Sequence, residues 1–150
     1  MKRKIVVVVT LVLVAGAISA GLSLATPGAS IVTTEFGRKT VSHFQASMAA
    51  GDIVVSEISL APGGYSGWHS HPGKVVGAVQ RGSLTLYRSN DPTCTGHTYT
   101  AGQIFTEIPS VHYYGRDEGT TATVLNVTFF NVPVGGSSRI DQPAPGNCPF

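Results

Sequence analysis

From residue 52 onward, short apolar or β-branched runs alternate with breaks marked by Gly and Pro. Asp52 to Leu60 is a β-branched run with neither residue. Val75 to Val79 and Ser83 to Tyr87 flank the turn-like Arg81-Gly82. Ile104 to Ile108 follows Ala101-Gly102 and stops at Pro109. Val111 to Tyr114 precedes the turn-like stretch Gly115 to Gly119, and Thr121 to Phe130 is a long run of Thr, Val, Leu and Phe. Nothing after residue 25 keeps a helical period. Strands at intervals of roughly ten residues predict an all-β sandwich or barrel. Residues 46–135 form its body. Residues 26–45 read as an extended N-terminal segment and 136–150 as a C-terminal tail. No repeat or second domain is visible.

The first twenty-five residues follow a different pattern. Met1-Lys2-Arg3-Lys4 is basic, and Ile5 to Ala25 carries no charge. Its strongly apolar part, Ile5 to Val14, has the length of a signal-peptide core, and Ser23-Leu24-Ala25 offers small side chains before a cleavage point. The same run is long enough to span a bilayer as an anchor. Either way, residues 1–25 are a signal peptide or signal anchor, and the remainder is exported to the periplasm, cell surface or medium. Contact with the membrane is expected only through this segment if it is retained.

Composition changes meaning once the leader is set aside. The whole chain has 10 Lys+Arg and 8 Asp+Glu, a net +2. Three of the basic residues belong to the leader, so the exported part is close to −1. Charged residues are 12% of the chain, about half the usual ~25%. No basic patch suggests nucleic acid as a partner. Cys94 and Cys148 both lie in the exported part, where an even pair usually forms a disulfide. Such a bridge would clamp the tail onto the body and contribute ~4 kcal/mol on the chain-entropy account.

The histidines carry the candidate chemistry. His69 and His71 stand two apart in Gly67-Trp68-His69-Ser70-His71-Pro72. On a strand that spacing puts both imidazoles on one face. His112, on a later strand, can return to them inside a barrel. Glu107 stands in an otherwise apolar stretch with Phe105, Ile108 and Pro109. A buried carboxylate there needs a metal, a histidine or water.

The stretch Pro62 to Gly73, with Gly63, His69 and His71, and the later Gly102, Pro109 and His112, resemble the two motifs of the cupin family. The resemblance covers roughly Asp52 to Val132. It implies a cupin-type jelly-roll barrel with a metal bound inside. Two departures matter. Val75 stands where the family has a metal-binding Glu, and Arg116 where Asn is common. The family's ligand set therefore carries over only as His69, His71 and His112.

Three readings stay open. Three imidazoles hold a divalent ion with open positions, Glu107 supplies a carboxylate as fourth ligand, or the metal is lost and the histidines line a pocket for an organic ligand. The leading expectation is a metal-dependent, dioxygenase-like oxidoreductase acting on a small organic molecule. Fe(II) is favoured over Mn, Ni or Zn, and Glu107 is the candidate catalytic acid or base. The rival is a non-enzymatic small-molecule-binding protein with a decayed or absent metal site. Analogy with cupins also suggests a homodimer. Among other polar residues, His43 reads as structural and His97 as a solvated loop residue, and Glu57 faces either lumen or solvent. Tyr65, Trp68, Tyr113 and Tyr114 read as core packing or as an aromatic pocket.

Overall fold

The computed structural model describes residues 25–41 and 50–150. Residues 1–24 of the leader, and His43, lie outside the described residues.

Among the described residues ten strands follow one another: β1 (Ala29–Val41), β2 (Gly51–Tyr65), β3 (His69–Ser70), β4 (Val75–Arg81), β5 (Ser83–Arg88), β6 (His97–Thr100), β7 (Ile104–Glu107), β8 (Tyr113–Arg116), β9 (Thr123–Val132) and β10 (Ile140–Asp141). No helix occurs among the described residues. One face of the barrel runs β1-β2-β9-β4-β7, and the other is built from β10, β3, β8, β5 and β6. All pairings are antiparallel, and the faces meet where Tyr65 of β2 pairs with Arg116 of β8. The result is a nearly closed barrel of jelly-roll type.

Side-chain alternation explains why these strands close on one another. Along β2, Asp52, Val54, Ser56 and Leu60 are buried, and Ile58 packs against the core. Leu125, Val127 and Phe129 of β9 and Val75 and Val79 of β4 join them. Each such side chain removed from water stabilises the fold by roughly 1.5–3 kcal/mol. At Gly77 an added Cβ would lie 2.1 Å from Cζ of Phe105, its cross-strand neighbour. The Phe105 ring thus lies across the glycine and fills the lumen from there.

Several elements differ from the expectation. Residues 29–41 form a strand hydrogen-bonded along β2, with register shifts between Ala29 and Ile31 and between Glu35 and Gly37. Val32, Thr33, Thr34 and Glu35 are all exposed, so this edge strand shows no apolar alternation. His97 opens β6 rather than sitting in a loop, although its side chain is exposed. The tail contributes β10, which pairs with β3. Cys94 and Cys148 are joined by a disulfide across 54 residues.

Candidate metal centre

His69 lies on β3 between two partners, Tyr113 of β8 and Asp141 of β10. His71 follows two residues later on the same face. The turn before them is built on Gly67, whose φ of 71° suits glycine. A Cβ at Gly67 would collide with the Thr26 and Pro27 carbonyls. That close approach leaves the Gly67 carbonyl 3.0 Å from His69 Nδ1. His71 Nδ1 lies 2.6 Å from the Ser138 carbonyl. A carbonyl oxygen only accepts, so both Nδ1 atoms carry the proton. In each neutral ring the Nε2 lone pair is left for something else.

Glu107 ends β7 and completes the group. His69, His71 and Glu107 are all buried, and their candidate ligand atoms lie within 4.8 Å of one another. His71 Nε2 is 2.8 Å from Glu107 Oε2. That oxygen nevertheless makes no aligned hydrogen bond. With Nδ1 committed to the Ser138 carbonyl, His71 Nε2 faces the carboxylate oxygen directly, a contact that a proton on Nε2 or a metal ion between the two would bridge. Two donors at right angles on an ion ~2.1 Å away sit roughly 3 Å apart, close to the spacing found here.

Electrostatics agree with that geometry. Burial is the largest cause lowering His69, to about 4, so its ring is neutral at pH 7 and able to bind a metal. Burial pushes the Glu107 carboxyl up, but its contact with His71 and the facing basic groups His69, His71 and Arg139 outweigh it. The carboxyl is held below its usual range.

The position of Glu107 answers the departure at residue 75. Val75 and Glu107 are direct cross-strand partners on β4 and β7. Both face the lumen. The carboxylate expected on β4 is present one strand over.

The structure does not bring His112 to this group. Tyr113 pairs with His69 and shares its face, so the preceding residue belongs to the opposite face. The His112 backbone exchanges hydrogen bonds with Ser89, and its Nδ1 is buried without a partner. Of the residues expected to converge, His69, His71 and Glu107 come together and His112 stands apart from them. Glu57 points away from the lumen, out of step with Ser56 and Ile58. Trp68, Tyr65 and Tyr114 form no part of the cavity. Trp68 and Tyr114 pack against Phe150 of the tail, Tyr65 stacks on Tyr114, and Trp68 Nε1 donates to the Phe150 carbonyl. Tyr113 lies in the core, and its hydroxyl accepts a hydrogen bond from the Ile108 amide.

His69, His71 and Glu107 line a cavity of about 330 Å³, walled elsewhere by apolar side chains including Ile58, Leu84, Phe105 and Phe129. That volume is at the lower end of the ~300–1,000 Å³ common for small-molecule sites. Two tail residues, Ser138 and Arg139, line it as well. Sequence reasoning missed both. They sit in the Gly- and Ser-rich stretch Gly135-Gly136-Ser137-Ser138, which reads as a plain loop, and only the Cys94–Cys148 pair hinted that the tail returns to the barrel.

Comparisons with known proteins agree on the architecture. No family model matches this sequence, and no curated protein does either. Among solved structures, the chain resembles a conserved protein with a double-stranded β-helix domain from Klebsiella pneumoniae. Identity there is 15%, with a TM-score of 0.55, over 77% of this chain and 86% of that one. It also resembles an oxalate oxidase at 22% identity and a TM-score of 0.50, over 66% of this chain and 50% of the oxidase, so it spans half of that protein's length. A third likeness is to the polyketide cyclase RemF from Streptomyces resistomycificus, at 12% identity and a TM-score of 0.53, over 69% of this chain and 67% of the cyclase. At such identities the likeness is one of fold.

Proposed function

The barrel has the cupin fold, and we propose that it holds one divalent transition-metal ion between His69, His71 and Glu107 and takes a small organic molecule into the cavity these residues line. The observation that carries this reading is the approach of His71 Nε2 to Glu107 Oε2 at 2.8 Å without an aligned hydrogen bond. Two neutral imidazoles and one carboxylate make the donor set of non-haem Fe(II) oxygenases, in which open positions on the ion accept substrate and dioxygen. The reaction class proposed is therefore oxygen-dependent oxidation. The oxidase among the fold neighbours is compatible with this, although one fold hosts many activities.

The chain's own contributions follow from the geometry. The Gly67 and Ser138 carbonyls fix the orientation and tautomer of the two imidazoles. Glu107 offsets one charge of the ion. The apolar walls exclude water from the reacting end. The Cys94–Cys148 bond supports placing the working domain outside the reducing cytoplasm.

The experiment is metal analysis of untagged protein, stripped with chelator and reconstituted in turn with Fe(II), Mn(II), Ni(II) and Zn(II). One equivalent is expected, lost in His69→Ala/His71→Ala, reduced in Glu107→Gln and retained in His112→Ala. Substoichiometric metal that does not change in the double variant refutes the reading and leaves an ion-paired, metal-free binding pocket. Oxygen uptake with phenols, diketones and thiols then tests the reaction class.

A further inference from the structure

Arg139 enters the cavity from the tail and is the one cationic Lys or Arg side chain on its lining among the described residues. The preceding carbonyl, that of Ser138, holds His71, so the arginine stands at the metal end of the lumen. Its guanidinium is held in place. Nε donates to Asp141 Oδ1 at 2.6 Å, and Nη2 donates to the Ser66 carbonyl at 2.7 Å. A guanidinium has five N–H donors. Two are committed here, and the remaining three have no hydrogen-bond partner among the described residues.

Charge points the same way. Glu107 is the one acidic residue on the lining. A divalent ion beside it leaves a net single positive charge, while the charge of Arg139 is paired with Asp141. The rest of the wall is largely apolar. An uncharged ligand would leave the positive charge of the metal centre uncompensated in that setting, and the free N–H donors of Arg139 unused. A carboxylate matches the planar fork of a guanidinium and offsets the charge.

We infer that the cavity takes a small organic carboxylate, with an apolar body among the barrel side chains and its acid group selected by Arg139 beside the metal centre. This rests on the metal reading above and names the substrate class for the same site. Arg139 is then the specificity-determining residue, supplied by a tail outside the barrel body.

The test uses protein loaded with redox-silent Zn(II) and isothermal titration with two charge-only pairs: 3-phenylpropanoate against 3-phenylpropanamide, and hexanoate against hexanamide. In the wild type the acid of at least one pair should bind at least about tenfold tighter than its amide, the scale of one charged hydrogen bond. Arg139→Gln should remove that preference while zinc content stays at one equivalent and the thermal midpoint reports an intact fold. Arg139→Lys, which keeps the charge but not the fork, should retain part of it. Equal binding of acid and amide in both pairs, no binding by any of the four, or an undiminished preference in Arg139→Gln overturns the assignment. If zinc does not load, the metal reading fails by its own measurement. The same titrations on metal-free protein then decide the carboxylate question: an acid preference lost in Arg139→Gln keeps the assignment, and its absence removes it.

Discussion

Acidification should weaken the metal-free protein, and His69 should account for most of the loss above pH 4. In the folded chain burial lowers this ring from 6.5 to about 4. In the unfolded chain it titrates near its ordinary value, ~6.5. Above that pH both states are neutral at this residue, and its contribution to stability is complete. Between 6.5 and 4 the unfolded chain takes up a proton that the folded ring refuses, so stability falls as pH falls. The loss levels off once the folded ring also protonates. The gap is worth about 3 kcal/mol, a large part of the roughly 5–15 kcal/mol typical of a domain. Glu107 acts in the same direction at lower pH. Its folded carboxyl is held below the ordinary value of 4.5, so its contribution is present above 4.5 and lost as pH falls through the lower folded value. The assay is urea unfolding of chelator-treated protein from pH 7.5 to pH 4, comparing wild type with His69→Asn. The wild type should lose about 3 kcal/mol more than the variant across that window. Equal losses in the two proteins, within about 0.5 kcal/mol, refute the argument.

Three further outcomes are expected. Glu107→Val should abolish metal loading, and adding Val75→Glu should restore it, because the two positions face each other across β4 and β7; elemental analysis that finds no restoration contradicts the shared site. Cys94→Ala/Cys148→Ala should cost up to ~4 kcal/mol of stability, speed hydrogen exchange at residues 137–142, and weaken metal binding by roughly 10–100-fold through loss of the Ser138 carbonyl on His71. Unchanged exchange there would show that β10 holds without the bridge. Gly67→Ala should destabilise by ~1–3 kcal/mol, since alanine resists the positive φ and its Cβ meets the Thr26 and Pro27 carbonyls; an unshifted urea midpoint contradicts this.

Strands β2, β4, β5, β7, β8 and β9 were legible because each carries apolar or β-branched residues between Gly or Pro breaks. β1 was not, since its described outer residues are exposed and its register is interrupted twice. The His69/His71 pair was legible from the two-residue period alone. His112 was not, because a single residue of register decides which face a strand residue takes. Placing Tyr113 opposite His69 turns its neighbour outward. Glu107 stood out as a charge in an apolar run, but its pairing with Val75 is a property of the folded ladder. Ser138 acts through its backbone carbonyl, which no side-chain pattern records. Arg139 acts through docking of the tail, a contact between segments far apart in sequence.

The reach of that tail has a consequence for the order of events during folding. His71 and the carbonyl that orients it are 67 residues apart, and Glu107 lies between them in the chain. A partly synthesised chain can hold both imidazoles without either the carboxylate or the oriented tautomer. Contacts of such long range also form slowly, on the millisecond-to-second scale typical of β barrels. On the proposed metal reading, selection of the ion would therefore wait until β10 has docked, and the ion captured would reflect the surroundings where folding finishes.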